Sequence, residues 1–416
     1  MTGRSPLDTL KATGVPVREA VPEDAVAGVL PSWVAAPGGV GEVAEIMRAA
    51  SSLGLAVVPS GGRTKAAWGR PPERCDLVVD TRAMDRVLEH EAGDLVVRVQ
   101  AGVTLDGLAA ALAVHGQELA LDRPLDGATV GGTLATATAG PRALRYGTAR
   151  DLLIGITVVL ADGTVATSGG KVVKNVAGYD LGKLFTGSYG TLGVIAEAAF
   201  RLHPMAAERA CVTSAHPVSE DLGPLLRRVT AAQEEVSAVE IDWPDPREPY
   251  TLTCLVEGVG AQSRASAVRE LLGTRASVGG EPPGEWARLP GETFVLEARV
   301  RQDDLYDAML AVAGTVRVTG VEAAVRGWAA PVSVLRIALR TDDGPAAGDA
   351  AGAAFVTALR DMVEPGGRVV VVTAPEEIAR RVDRFGHIGA LPLMKRVKER
   401  FDPDRSLSPG RFVGGI

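Results

Sequence analysis

The stretch Ser168–Ile195, SGGKVVKNVAGYDLGKLFTGSYGTLGVI, decides how this chain is read. Glycine recurs at Gly169, Gly170, Gly178, Gly182, Gly187, Gly190 and Gly193, and between the glycines stand Lys171, Lys174, Asn175, Tyr179 and Asp180. Glycine lets a backbone come close to a ligand or take a positive φ. The stretch lies between the apolar runs 154–160 and 194–200. So dense a set of glycines beside buried strands reads as a wall built against something large, flat and charged.

Two other segments have the same character. The wholly apolar run 55–58 reads as a short buried strand and leads into Pro59-Ser60-Gly61-Gly62-Arg63-Thr64-Lys65. Consecutive small residues after a buried strand expose backbone N–H groups as an anion nest, and Arg63, Thr64 and Lys65 add donors. The loop is either a pyrophosphate site or a plain surface turn. It fits neither the Walker A spacing nor the Rossmann G-x-G-x-x-G. From Gly127 to Gly140 there is almost nothing bulky except Val130 and Leu134, while Thr129, Thr133, Thr136 and Thr138 offer hydroxyls. That segment either receives a planar ring or sugar chain against its backbone or begins an Ala/Thr-rich buried helix.

A length of 416 residues exceeds one hydrophobic core and fits two or three compact units. Hydrophobic residues make up 46% and charged residues 23%, within the range of ordinary globular chains. A net charge of −7 argues against nucleic acid or an anionic membrane as partner. The opening MTGRSPLDTLKATG has no apolar signal core, and no run approaches the about 18 apolar residues of a membrane helix, so no integral membrane segment is expected. Cys75, Cys211 and Cys254 stand far apart without a C-x-x-C and read as buried fillers in a reducing compartment. The five histidines form no ligand pair, so no metal site is expected and redox chemistry would need an organic cofactor.

Along the chain, residues 1–30 read as a helix-rich arm. A strand over 33–36, a helix over 40–53 stopped by Gly54, strands over 77–80 and 95–100 separated by a charged turn, and a helix over 105–115 capped by Thr104 follow. Asp162-Gly163 marks a hairpin, and His203-Pro204 stops the strand 194–202. Beyond residue 206 the glycine-rich loops give way to strands over 236–241, 251–257, 293–300, 333–340 and 368–373, with helices over 262–272, 302–313 and 347–363. The alternation of Val334, Arg336, Ala338 and Arg340 with Leu335, Ile337 and Leu339 predicts an antiparallel sheet with one face exposed and helices on the other. A helical piece over 378–383, a basic helix over 392–401 and a turn-rich tail should pack on another part of the protein. The expected units are 1–205, 206–375 and 376–416.

The motifs PSGGRT at 59–64, AGVT at 101–104, ATVGG at 128–132, GPRALRYG at 140–147, KNVAGYDLGKL at 174–184, GTLGVI at 190–195 and FDPDRSLSPGRF at 401–412 resemble flavoproteins of the vanillyl-alcohol-oxidase, or PCMH, type. The resemblance covers the first 200 residues well and the last 40 moderately, and the middle only by its arrangement. It implies an α+β fold: a two-subdomain PCMH-type FAD-binding domain plus an antiparallel-sheet cap domain with helices on one face. By the same resemblance Pro59, Ser60, Gly61, Gly62, Arg63 and Thr64 hold the FAD pyrophosphate. Thr129, Val130, Gly131 and Gly132 line the flavin and ribityl chain, and Gly190, Gly193, Val194 and Ile195 touch the adenosine half. Gly102, Pro124, Thr136, Gly140, Gly147 and Lys174 complete the implied cofactor set. Members with covalent flavin carry a histidine in the first glycine loop; this loop has none, which implies non-covalent FAD. The H-G-D-G-N-x-H metal motif of related dehydrogenases is absent, and Ser408-Pro409-Gly410-Arg411 stands where N-P-G-R is usual.

Within that type the phrase 169–195 is similar to the FAD-binding E subunits of bacterial glycolate oxidases. This implies a cytoplasmic FAD-dependent oxidoreductase subunit, peripheral at most to the inner face of the membrane. It would take part in oxidation of a small 2-hydroxy acid such as glycolate, beside a catalytic flavoprotein subunit and an iron–sulfur subunit. A self-sufficient FAD-dependent oxidoreductase for a hydroxy acid or alditol is the alternative, and a non-catalytic flavin-bearing scaffold a third reading. Flavin oxidation calls for a positioned base and, for a carboxylate substrate, a cationic clamp. His387, in FGHIG, is the candidate base or else a structural hydrogen-bonding residue. Arg145 and Tyr146 face either the substrate or their own turn. Lys174 and Asn175 reach a flavin edge, or Lys174 pairs with Asp180.

Overall fold

The computed structural model describes residues 5–170, 180–340, 344–364 and 366–416. Lys171, Lys174, Asn175 and Tyr179 lie outside them. The first half builds two small sheets. In one, strands Val17–Glu19, Trp33–Ala35, Leu77–Asp80 and Val57–Ser60 lie in that spatial order. The last three are mutually parallel, and the first is antiparallel to its neighbour. The N-terminal arm is thus less helical than its sequence indicates. Apart from the helix Pro6–Lys11 it supplies an edge strand, because Val17–Glu19 finds backbone partners on Trp33–Ala35. The helix Val40–Ser52 buries Val43, Ile46, Met47 and Ala50 at 3.6-residue spacing against this sheet, and Gly54 leaves it at φ 63°.

The other sheet is antiparallel, in the order Val87–Glu91, Val96–Gln100, Val194–Arg201, Leu153–Val159, Val165–Gly169. The expected charged turn before residue 95 is itself the edge strand Val87–Glu91, whose polar residues are tolerated because an edge is partly exposed. Asp162-Gly163 makes the predicted hairpin, with Gly163 at φ 81°. His203–Pro204 is not only a stop; it pairs with Gln117–Glu118 as a two-residue ribbon.

The second half is one antiparallel sheet of eight strands. Its order is Ala276–Gly279, Arg209–His216, Tyr250–Glu257, Val236–Trp243, Glu322–Trp328, Val332–Arg340, Val295–Arg301, Gly367–Thr373. Three of these strands, Arg209–His216, Ala276–Gly279 and Glu322–Trp328, lack the strong pattern that marks the other five. Helices Leu222–Thr230, Ala261–Leu272, Leu305–Thr319 and Gly344–Val363 lie over one face. The opposite face was expected in water and is not there: every residue from Ser333 to Leu339 is buried, Arg336 included. That face is turned onto the first half, where the Arg336 guanidinium donates to the Ala139 carbonyl at 3.0 Å. The alternation was read correctly as two-faced, but its polar side faces another domain.

The tail closes the structure. Helix Leu391–Phe401 is followed by a strand-like return in which the Val57 amide donates to Ser406 and the Ser408 amide to Val57, at 2.7 and 2.8 Å. Lys398 anchors this return. Its buried ammonium donates to Asp402 Oδ2 at 2.6 Å and to the carbonyls of Thr191 and Leu407 at 2.7 and 2.8 Å. Cys75, Cys211 and Cys254 are free and buried, and burial pushes each thiol up to about 12, so they are inert fillers.

Candidate functional site

The three glycine-rich segments meet in one cleft. The first wall starts at the carboxyl end of the parallel strand Val57–Ser60, the end where open parallel sheets take ligands. Pro59 to Ala66 all line the cleft. The glycines here have a second purpose that ligand-based reasoning overlooks. A Cβ on Gly61 would overlap the Thr129 side chain, and one on Gly62 the Gly127 carbonyl. The loop therefore presses directly on the second wall. Among the described residues the amides of Gly62, Arg63, Thr64 and Lys65 donate to no protein acceptor. These four consecutive free amides are the feature the anion-nest reading of the loop requires. Arg63 contributes backbone rather than charge. Its guanidinium bonds the Asp24 carboxylate at 3.0 Å, and with Arg18 it holds that carboxyl well below the usual range.

The second wall is a helix, Val130–Thr136, so both readings of 127–140 meet in one element. Thr129 caps it, accepting from the Gly132 amide at 3.2 Å. Gly131, Gly132, Ala135 and Thr136 face the cleft, while Val130 and Leu134 point into the core. The AGVT motif supports this wall from behind. The Gly131 amide donates to Ala101 at 2.8 Å, the Val130 amide to Val103 at 2.9 Å, and the Leu105 amide to Ala128 at 2.8 Å. Gly102 itself does not line the cleft; a Cβ there would strike the Thr81 carbonyl.

The third wall runs from Tyr189 to Ile195. Tyr189, Gly190, Gly193 and Ile195 line the cleft, and Val194, which alternates with them, is fully buried in the core. Tyr189 and Arg63 both hold positive φ, at 56° and 62°, an uncommon conformation for residues with side chains that concentrates at functional sites. The Tyr189 amide donates to Ala135 at 2.9 Å, joining the third wall to the second. Arg411 from the returning tail completes the lining. It is 5% exposed and donates to the carbonyls of Ala66 and Trp68 at 2.9 and 2.8 Å.

The remaining expected residues fall elsewhere. Pro124, Gly140 and Gly147 are not in the lining; Gly140 packs on Asp122, and Gly147 ends a short helix at φ 79°. Arg145 reaches the carbonyl and carboxylate of Glu235, at 3.4 and 3.5 Å, and the Tyr146 hydroxyl donates to Glu257 at 3.1 Å. Both thus lie where the first half meets the eight-stranded sheet. His387 is exposed, and its carbonyl accepts from Arg368. None of the three lines this cleft. Sequence reasoning missed Tyr189 and Arg411 as lining residues. Their signals were the tyrosine set between two glycines in GSYG and the arginine of the turn SPGR.

Residues 31–169 match the FAD binding domain family. Over that stretch the chain is similar to FAD-binding domains. The cleft's small-residue walls, its run of free amides and a buried, unpaired Lys65 suit an anionic dinucleotide of that kind. Glycolate oxidase subunit GlcD of Bacillus subtilis (strain 168) is 38% identical over 181 residues, 42% of this chain and 37% of that one. Glycolate oxidase subunit GlcE of Escherichia coli (strain K12) is 33% identical over 225 residues, 52% of this chain and 59% of that one. The match therefore spans less than two thirds of either relative's length. A solved structure of alkyldihydroxyacetonephosphate synthase has the same fold, with a TM-score of 0.74 over 99% of this chain and 86% of that one at 17% identity. The chain shares the fold of that structure, with the antiparallel sheet of its second half laid on the two small sheets of its first. No helix among the described residues is long and apolar enough to cross a membrane.

Proposed function

We propose that this chain is an FAD-dependent oxidoreductase acting on the CH–OH group of a small 2-hydroxy acid. In the finer form of the proposal it is the FAD-binding subunit of a glycolate-oxidase-type complex, beside a catalytic flavoprotein subunit and an iron–sulfur subunit. The observation that carries the reading is the meeting of Pro59–Ala66, Gly131–Thr136 and Tyr189–Ile195 in one cleft, closed at one side by Arg411 of the returning tail. The sequence names of the relatives supply the substrate class.

Bound FAD would supply a two-electron acceptor for the substrate's C–H bond. The chain's own residues do the rest. The amides of Gly62 to Lys65 bind diphosphate oxygens. The helix Val130–Thr136 gives a flat, small-residue surface for the ring and ribityl chain. His387, Arg145 and Tyr146 remain the candidates for proton transfer and substrate contact. For Arg145 and Tyr146 such a role would require the cap seam to open.

Purification of the full chain, acid precipitation and a spectrum of the supernatant test the cofactor: FAD in solution is expected, and a colourless supernatant with colourless pellet refutes it. Anaerobic addition of glycolate or D-lactate tests the activity. Bleaching only with the partner subunits present supports the complex. Steady dye reduction by the chain alone supports the self-sufficient alternative, and no bleaching under either condition sinks the oxidoreductase reading.

A further inference from the structure

Val26 lines the cleft and is 2% exposed, although it belongs to the N-terminal arm and to none of the three walls. It lies in the segment 21–31, whose ends are drawn together where the Ala20 amide donates to the Ser32 carbonyl at 3.1 Å. Inside the segment the Asp24 amide donates to Val21, the Ala25 amide to Pro22, and Val26 and Val29 bond each other in both directions. Among the described residues its backbone makes no hydrogen bond to backbone outside the segment. A self-contained loop of about 6–16 residues with joined ends is an Ω-loop, a form that frequently carries function. Side chains hold it down. Val26 and Val29 pack on Val34, Val58 and Val78 of the first small sheet. Asp24, 3% exposed, is held from two sides. Arg18 donates to its two oxygens at 2.5 and 2.9 Å, and Arg63 donates to Oδ1 at 3.0 Å and to the Asp24 carbonyl at 2.5 Å. The tip turns at Ala27 and Gly28, with φ 47° and 86°, and with Val29 it borders a second groove beside Arg70, Pro71 and Arg381. The loop is thus a partition, with the cleft on one side and that groove on the other.

We propose that residues 21–31 are a flap that gates passage of the dinucleotide between the cleft and solvent, and that Asp24 is its latch. Arg63 ties the flap to the cofactor site. Its amide belongs to the nest and its guanidinium holds Asp24, so the flap is fastened to the loop that faces the diphosphate. Swinging about the Ala20–Ser32 junction breaks no sheet hydrogen bond. It costs the Asp24 contacts and the burial of Val26 and Val29. A segment held by side chains alone opens more readily than walls carried on strands and a helix, and low local stability is what a ligand gate needs. The proposal rests on the cofactor reading of the cleft and is indifferent to the substrate.

The test uses the full-length chain and two variants, Asp24→Asn and Arg18→Met, with folding checked by circular dichroism. Asparagine keeps an acceptor for the Val21 amide and loses the charge, and Arg18 lies outside the cleft lining. FAD is removed and added back, and uptake and release are each followed by stopped-flow flavin fluorescence. A gate sets the barrier and leaves the difference between bound and free protein unchanged. In Asp24→Asn, uptake and release should therefore both accelerate by about tenfold or more, with Kd within about threefold of wild type. Arg18→Met, which removes one of the two arginines, should move both rates the same way by less. If Asp24→Asn does not fold, Arg18→Met carries the test. Hydrogen exchange gives an independent reading: the Val26 and Val29 amides should exchange faster in Asp24→Asn, with the strand Leu77–Asp80 unchanged. A purely structural role for Asp24 gives a different pattern, faster release alone with Kd weakened to match. That pattern, or a folded Asp24→Asn with both rates within about twofold of wild type, overturns the proposal. If the wild type takes up no FAD, the cofactor reading falls and the gate with it; normal uptake with unaltered variant rates sinks the gate alone.

Discussion

Replacing Lys65 by methionine should stabilise the FAD-free protein. The ammonium is 8% exposed, and burial, aided by Arg336, lowers it from 10.5 to about 8. A shift of about 2.5 units at 1.36 kcal/mol each is about 3 kcal/mol of cost borne by the folded state while the group is charged. Little solvent remains around the group to screen that cost. Methionine has nearly the same length, keeps the contacts of the stem and carries no charge. The expected gain at pH 7 is therefore positive and at most about 3 kcal/mol. The pH dependence separates this cause from ordinary repacking. The folded-state value lies below the unfolded one. Between about 8 and 10.5 the unfolded chain therefore holds a proton that the folded chain has released, and wild-type stability rises with pH through that window. Lys65→Met lacks this increment, so its advantage should be full below pH 8 and fade toward pH 10.5. Urea unfolding of both proteins after FAD removal, at pH 7 and at pH 9.5, measures both points. Equal or lower stability of Lys65→Met at pH 7, or a gap that does not narrow at pH 9.5, would refute the reasoning. A ligand that uses the ammonium adds stability to the wild type by mass action, so saturating ligand should shrink or reverse the gap.

Gly62→Val should force the nest loop off the Gly127 carbonyl, costing about 1–3 kcal/mol of stability and most of the bound flavin; the flavin-to-protein absorbance ratio and the melting temperature check it. Arg142→Met should cost about 1–3 kcal/mol. Arg142 bonds both Glu118 oxygens at 2.8 and 2.9 Å and lies 3.5 Å from Glu257, so its loss leaves the half-buried Glu118 and the buried Glu257 to share Arg209 across the seam between the FAD-binding domain and the cap. Urea unfolding at pH 7 reads the cost. Lys398→Met should leave Asp402 buried beside no cation, costing about 3–5 kcal/mol and loosening the tail. Faster hydrogen exchange at the Val57 and Ser408 amides, with the cap amides unchanged, is the expected signature.

What could be read from the residues alone depended on how local the cause was. The loop Pro59–Thr64, the Thr129 cap and the Asp162-Gly163 hairpin are fixed by chemistry within a few residues, and each stands where the pattern indicated. The strands Val87–Glu91 and Arg209–His216 were harder because an edge position and a mixed-polarity partner face permit residues that do not alternate. Gly102 and Gly140 illustrate a different limit. Glycine was read as room for a ligand, but these two give room to the Thr81 carbonyl and to Asp122, parts of the chain distant in sequence. A glycine reports that something comes close; only the fold says whether it is a cofactor or the protein itself.

The same limit governs charge. Arg336 sits at an outward position of a strand with period-two alternation, and nothing within that strand distinguishes a solvated arginine from a buried one. Its burial follows from the cap being laid on the FAD-binding domain, which is a long-range event. Lys65 follows the same logic: in sequence it is one more donor in a glycine loop, and only the folded surroundings turn it into a desolvated cation. The two readings carry opposite consequences. A solvated lysine at the lip of the cleft would change affinity modestly and stability hardly at all when replaced. A lysine enclosed by the cap and facing Arg336 must raise stability when removed and lower ligand affinity by the same act. Stability and binding are opposed at that position because one desolvated charge determines both.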